Sequence, residues 1–414
     1  MTKEEENEKS EVKKRPPREK QNPIESAIIS WYATLSEQHH NVADLVAQAP
    51  KRWTAYGPLV LLPAGAFTSP AWRDVLAGDA GTGKLWRLIL DGIAGSSVTH
   101  LAINEGIPSH LEGENILRSP GGLRMLYGDF GPAETTQEQG QGQGQGQVTQ
   151  EEDFSRAFWV STKQNGIIQT WAPRWTMFSR GNIKEKARLL GFHHHTSQEE
   201  VAVAVDLYAG IGYFAFCYAS LGFRVFCWEL NPWSVEGLRR GAEANGWSVR
   251  VVLPRDDDDN DRELMGVLAG SEQIVVFLED NTRAAERIRV LDKLTREREA
   301  DAGAGAGGLR MGNIMHVNCG LLPTSEGSWD TAWDIASESP QACFHIHENV
   351  GASDIDARKE EIRQYFARRV RHGSRVGTEE KSTRDRGYNM KTITWHSLTP
   401  YLEAVLLDLK PVLH

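Results

Sequence analysis

An apolar strand that runs into a glycine turn, a helix and a second strand ending in an acid constrains this chain more than any other feature. Residues Val201–Glu229 read VAVAVDLYAGIGYFAFCYASLGFRVFCWE. The first expected strand ends at Asp206, Gly210 and Gly212 form the turn, and a helix follows to about Ser220. The second strand, Arg224–Trp228, delivers Glu229 at its carboxyl end. Glycines at such a turn let the backbone pass close to a ligand, and an acid so placed accepts both hydroxyls of a ribose. The alternation continues through the apolar runs Ile274–Leu278, Ile314–Cys319, Cys343–His347 and Met390–Trp395. Helical patterns at Pro232–Asn245, Trp329–Ser337 and Ala357–Arg371 separate them. Strands and helices at this spacing predict an α/β fold, a doubly wound sheet with mainly parallel strands.

Gly210–Ala215 also satisfies the GxGxxA dinucleotide fingerprint. In that fingerprint the strand enters the first glycine almost directly, whereas Asp206 stands four residues before Gly210. The spacing D-x-x-x-G-x-G is the usual mark of S-adenosylmethionine sites, so adenosylmethionine is the expected co-substrate and NAD the lesser reading. A purely structural turn is the plainer account, and the acid at Glu229 weighs against it. The run Ile274–Leu278 leads into Glu279-Asp280-Asn281, where a carboxylate and an amide suit the amine and ring nitrogens of adenine.

At 414 residues, two or three domains are expected. Residues 1–22 read as a disordered charged tail, in which Lys13-Lys14-Arg15 is either a nuclear signal or plain solvating charge. Residues 23–132 read as a smaller α+β region, with helices at Ile24–Gln38 and Trp72–Ile93 and an apolar run at Pro58–Leu62. A low-complexity linker, 133–150, contains QGQGQGQ, and 151–414 holds the alternating domain. Asp256–Asp261 and Asp301–Gly308 read as insertions in loops between elements. The four cysteines form no CxxC pair, the N-terminus has no apolar leader, and no run is long enough to span a membrane. These point to the cytoplasm. A net charge of −10 argues against a general nucleic-acid coat and leaves room for local basic patches.

Five segments carry a family likeness: MFSRGNIKEK (177–186), VDLYAGIGYF (205–214), CWELNPWSVEGL (227–238), GLLPTSEGSW (320–329) and HIHENV (345–350). Weaker likeness runs through ILRSPGGLRMLYGDFGP (116–132) and RWTAYGPLVLLP (52–63). In these the chain resembles the tRNA wybutosine-synthesising protein 2 family of 3-amino-3-carboxypropyltransferases. The resemblance implies a class I adenosylmethionine-dependent fold and an N-terminal region that helps hold tRNA. It also implies transfer of the aminocarboxypropyl group to C7 of 4-demethylwyosine at position 37 of tRNA-Phe. By the same resemblance Ser179, Lys186, Glu229, Asp280 and Asn281 contact the cofactor, beside Asp206, Gly210 and Gly212 of the turn. Lys186 is then the partner expected for the methionine carboxylate. The sister family methylates N1 of guanosine at the same tRNA position and carries Asn-Leu-Pro where this chain has Gly320-Leu321-Leu322-Pro323. That difference, with HIHENV, favours aminocarboxypropyl transfer over methylation; an inactive tRNA-binding scaffold is a third reading. The insertions, and Glu279 where the family pattern has glycine, depart from the likeness.

Other signals carry less. Gly78–Lys84 imitates a phosphate loop, but it follows a helix and Leu85 stands where Ser or Thr would hold magnesium. His193-His194-His195 diverge on an expected loop, the acidic run lacks the glycine and glutamate of a calcium loop, and no metal is expected. His345 and His347 share one strand face, placed either to line the substrate cleft or to pack beneath a helix. Gly320, Leu321 and Pro323 belong to the expected substrate turn, and Tyr213 and Trp329 are candidates to stack on the base or to fill core. Arg368, Arg369, Arg371 and Arg375, with Lys51-Arg52 beside Trp53, are candidate phosphate contacts. A monomer is expected.

Overall fold

The computed structural model describes residues 21–36, 38–77, 81–94, 97–104, 123–133, 151–192, 201–254, 257–302, 309–336, 339, 342–351 and 353–376. Side chains of 257–261, 299, 301, 302, 309–312 and 370–376 are not among them. Most of the expected tail and the 133–150 linker, the triple histidine, the run Met390–Trp395 and the side chains of Arg371 and Arg375 therefore lie outside the described residues. The chain divides into two compact units, one ending near residue 105 and completed by Arg124–Gly128, the other continuing from Asp129.

In the first unit, α1 (Pro23–Tyr32) starts with a proline in its first turn and an Asn22 side chain that accepts the Ile24 N–H. α2 (Val42–Ala47) follows, then β1 (Thr54–Tyr56), β2 (Leu59–Pro63), α3 (Pro70–Ala77), α4 (Thr82–Ala94), β3 (His100–Asn104) and β4 (Leu123–Tyr127). The strands form one sheet in the order β1-β2-β3-β4, with β1–β2 antiparallel and β2–β3 parallel. The single helix expected over Trp72–Ile93 is two helices. Gly81 stands between them at φ +83°, a conformation that ends a helix, and its carbonyl accepts the Trp31 indole N–H at 3.1 Å. Trp31, Phe67, Trp72, Trp86 and Ile89 fill the core beneath the sheet.

The second unit opens with α5 (Glu151–Arg156), the hairpin β5 (Val160–Gln164) and β6 (Ile167–Trp171), and α6 (Ile183–Leu189). The alternating elements follow: β7 (Val201–Asp206), α7 (Ala215–Ser220), β8 (Arg224–Trp228), α8 (Pro232–Ala244), β9 (Val249–Val252), α9 (Asp257–Ala269) and β10 (Ile274–Phe277). Then come α10 (Ala284–Ala302), β11 (Leu309–Cys319), α11 (Trp329–Ala336), β12 (Cys343–Ile346) and α12 (Ile355–Val376). Six strands form one parallel sheet in the order β12-β11-β7-β8-β10-β9. This is the expected doubly wound α/β class. β7, β8, β10 and β12 are buried almost throughout, which is why they read as unbroken apolar runs. The winding reverses between β7 and β11, and in open α/β sheets ligands bind beyond the strand ends at such a reversal.

The acidic run is not the expected loop. Asp257–Asp261 are instead the first residues of α9. Asp301 and Ala302 likewise finish α10 instead of entering a loop.

Glu279, the departure from the family pattern, is a buried structural acid. Arg287 holds it in a two-pronged pair at 2.8 and 3.0 Å, and the Trp228 indole donates to it at 3.3 Å. Arg283 adds a contact at 3.4 Å. Removing one partner of a buried pair leaves an uncompensated charge, so Glu279→Ala should lose about 3–5 kcal/mol in urea unfolding. Glu279→Leu with Arg287→Leu should recover most of that loss.

Candidate functional site

The turn after β7 is stitched to the end of β8. The Ala209 N–H donates to the Trp228 carbonyl at 3.0 Å, and the Gly210 N–H donates to Glu229 Oε2 at 2.8 Å. Glu229 Oε1 accepts the Asn231 N–H at 2.8 Å, and Asn231 caps α8 through the Trp233 N–H. Gly210 and Gly212 lie at φ +53° and +86°, and a Cβ on Gly212 would meet the Phe216 ring at 2.5 Å. Burial raises the Glu229 carboxyl above its ordinary range, against the N–H groups of Asn231, Gly210 and Leu230 that favour the charged form. A carboxylate offers about four lone pairs and these three N–H groups use three of them, so a ligand hydroxyl still has an acceptor to meet.

The stretch leading to α6 forms a wall beside this turn. The Tyr213 hydroxyl donates to the Met177 carbonyl at 2.5 Å and accepts the Ser179 N–H at 3.1 Å. Lys186, 2% exposed, points its ammonium at Gln169 Oε1 and, at 3.3 Å, Gln164 Oε1. Gln169 in turn donates to the Gly212 carbonyl at 3.3 Å, so one amide joins the lysine to the glycine turn. The ammonium also sits 5.3 Å from the ring centres of Phe178 and Tyr213. Burial lowers its pKa to about 8, with nearby Cys217 opposing. No carboxylate pairs with it among the described residues.

The third strand end contributes differently. Asp280 is exposed and caps the next turn through the Thr282 N–H at 2.8 Å, while Asn281 Nδ2 donates to the Leu207 carbonyl at 2.8 Å. Asn281 thus ties the end of β10 to the glycine turn. Asp206 is fully buried; its Oδ1 accepts Asn318 Nδ2 at 2.9 Å and the Tyr208 N–H at 3.3 Å. Burial raises its pKa to about 6, against Asn318 and the N–H groups of Tyr208 and Ala215. The structure therefore brings Ser179, Lys186, Asp206, Gly210, Gly212, Glu229 and Asn281 to one place. Gly320 lies against the same turn, since a Cβ there would meet the Phe214 ring at 3.2 Å.

His345 and His347 are buried, at 0% and 3% exposure, which corresponds to the packing reading of the two left open by the sequence. His347 Nε2 donates to Asn318 Oδ1 at 3.1 Å. Burial pushes its pKa down to about 3. His345, His316 and Cys343 have ligand atoms within 4.8 Å of one another. Arg188 donates to His345 Nδ1 at 3.1 Å, which leaves Nε2–H to donate to His316 Nδ1 at 3.0 Å. Neither ring nitrogen of His345 then offers a lone pair to a metal. Trp329 is core, at 1% exposure. Arg369 pairs with Asp330, whereas Arg368, Lys51 and Arg52 are exposed.

Residues 161–296 match the TRM5/TYW2 methyltransferase domain. The chain is 38% identical over 338 residues to the tRNA wybutosine-synthesizing protein 2 of Schizosaccharomyces pombe, covering 81% of this chain and 68% of that protein. The chain belongs to the tRNA wybutosine-synthesizing protein 2 family. The Saccharomyces cerevisiae protein of that name is 35% identical over 264 residues, which span 63% of this chain and about half, 48%, of the yeast protein. The Pyrococcus horikoshii crystal structure PH0793 superposes with a TM-score of 0.50 at 16% identity, covering 94% of this chain and 98% of that one, a likeness of fold.

Within this wybutosine-family site, sequence reasoning passed over Gln169 and Asn318, the two amides that carry Lys186 and Asp206. Their strands gave the available signal. Asn165-Gly166, at φ +50° and +84°, marks the β5–β6 hairpin that positions Gln169. Asn318 ends β11 beside Asp206 in register.

Asp206 makes stability depend on pH in a defined window. Its carboxyl ionises near 3.8 when unfolded and near 6 when folded. Stability is therefore unaffected by this group below about 3.8, falls as pH rises toward 6, and stays lower above it. Compared with Asp206→Asn, the wild type should lose up to roughly 3 kcal/mol between pH 4 and 6 in chemical denaturation. Parallel pH profiles for the two proteins would contradict this.

Proposed function

We propose that the chain transfers the 3-amino-3-carboxypropyl group of S-adenosylmethionine to C7 of 4-demethylwyosine at position 37 of tRNA-Phe. The observation that carries the reading is the Glu229 carboxylate bonded to the Gly210 N–H beside the Gly320–Pro323 turn. In this reading Glu229 takes the ribose hydroxyls. Asp280 and Asn281 take the adenine edge, and Ser179 and Lys186 take the methionine end. That no described carboxylate pairs with the lysine, together with its lowered pKa, fits a group waiting for an anion.

A sulfonium activates all three attached carbons, so the protein selects the product by placement. C7 of the base attacks the chain carbon next to sulfur. That carbon–sulfur bond breaks, its electron pair stays on sulfur, and methylthioadenosine leaves. The C7 proton is then lost from the base. The leaving thioether is neutral, so the site needs little acid–base help, and orientation supplies the rate gain, roughly 7–11 kcal/mol at the limit. Region 23–132 helps hold the tRNA, with exposed Lys51 and Arg52 on phosphates, and exposed Arg368 of α12 is a further phosphate contact in the second unit. The protein works as a monomer in the cytoplasm. No described helix is long and apolar enough to cross a membrane.

The test is the sulfur product formed with adenosylmethionine and precursor-bearing tRNA-Phe, resolved by liquid chromatography. Methylthioadenosine, with an equal gain of aminocarboxypropyl mass on the tRNA, is the expected result. S-adenosylhomocysteine would instead identify a methyltransferase on this fold, and no product with intact binding would identify a scaffold.

A further inference from the structure

The Gly320–Pro323 turn is bracketed by two consecutive residues at the end of β12. On its near side, His347 holds Asn318, and the His347 N–H donates to the Cys319 carbonyl at 3.2 Å. On its far side, Glu348 Oε1 accepts the Thr324 hydroxyl at 2.8 Å and the Ser325 N–H at 3.1 Å. The Asn349 N–H closes the bracket on the Pro323 carbonyl at 2.7 Å. Glu348 is 2% exposed, and its other oxygen is held by Arg358 of α12 at 3.0 and 3.3 Å.

A buried ion pair of this kind is a poor device for stability alone, since well-packed apolar residues serve as well or better. What Glu348 does that an apolar side chain would not is fix the direction of two donors on the turn. Gly320, at the start of that turn, lies against Phe214 of the cofactor turn, and Phe214 packs on His347 at 4.7 Å between ring centres. A shift of the turn therefore moves it relative to the glycine turn that holds the donor. Misplacement by about 1 Å can cost on the order of a hundredfold in rate.

We propose that Glu348 is a positioning residue for the transfer step, acting through Thr324 and Ser325 on the Gly320–Pro323 turn. The inference rests on the reading of that turn as the place where donor and acceptor base meet. It gives Glu348 an effect on turnover without an effect on donor binding, because none of its contacts reaches Glu229, Lys186 or Gly210.

The experiment compares wild type, Glu348→Gln, Glu348→Ala and Thr324→Val, the last altering the bracket from an exposed position. Turnover is read from whichever sulfur product the wild type forms, so methyl transfer would overturn the proposed reaction without silencing this test. Adenosylmethionine affinity is measured by calorimetry, and hydrogen exchange of the peptide spanning residues 318–326 reports the turn directly. The expected result is a kcat loss of about tenfold for Glu348→Gln and about a hundredfold for Glu348→Ala. Thr324→Val should lose less in the same direction. Adenosylmethionine affinity should stay within about threefold, and exchange at the turn should be faster. Unchanged kcat in a folded Glu348 variant would overturn the proposal. So would a loss of donor affinity parallel to the loss of kcat. If both Glu348 variants fail to fold, unchanged kcat in Thr324→Val would overturn it.

Discussion

Glu229 holds the Gly210 and Asn231 N–H groups at once, and that pair of hydrogen bonds fixes the turn after β7 against the end of β8. The other parts of the site are placed with reference to this joint. Gln169 reaches the Gly212 carbonyl from the β5–β6 hairpin, Tyr213 ties the 177–179 stretch to the turn, and Asn281 reaches Leu207 from β10. The β5–β6 hairpin and the ends of β8 and β10 thus send polar groups to one short loop. The loop adopts its shape because two glycines accept positive φ where a side chain would strike Tyr213 or Phe216.

Two kinds of buried charge recur among the described residues of the second unit. Glu185 with Arg188, Glu279 with Arg287 and Glu348 with Arg358 are paired, so desolvation is offset by a partner of opposite sign. Lys186 and Asp206 are held by amides instead, and their pKa values move toward neutrality, to about 8 and about 6. Both of these amide-held groups lie at the glycine turn. A folded chain bears the cost of such groups where a ligand or a reaction uses them, whereas the Glu185–Arg188 and Glu279–Arg287 pairs are explained by packing without one.

How much was legible depended on whether a residue's role was local. β7, β8 and β10, the turn glycines and the acid at Glu229 follow from periodicity and spacing, because both faces of the sheet are buried and the turn needs glycine. The hairpin β5–β6 and edge strand β9 were not read, although Asn165-Gly166 and the alternation in Val249–Val252 were signals for them. Gln169 and Asn318 could not be picked out as site residues, since their partners lie on other strands and an amide carries no distinctive spacing. His347 lay beyond spacing arguments for a related reason: period two places it on a face, and only the sheet order shows that face covered by Phe214. Glu279 read as an anomaly until its pairing with Arg287, eight residues on, gave it a structural reason.

The account stands on Glu229 as the organiser of the donor site, and calorimetric titration of adenosylmethionine into wild type and Glu229→Ala tests that claim most directly. Loss of the ribose acceptor together with the hold on Gly210 predicts affinity weakened by at least about tenfold, a hydrogen-bonded charge being worth roughly 1.5–3 kcal/mol, in a protein whose circular dichroism is unchanged. Equal affinity in a folded variant would contradict it, and the glycine turn would then be a structural feature with the donor bound elsewhere.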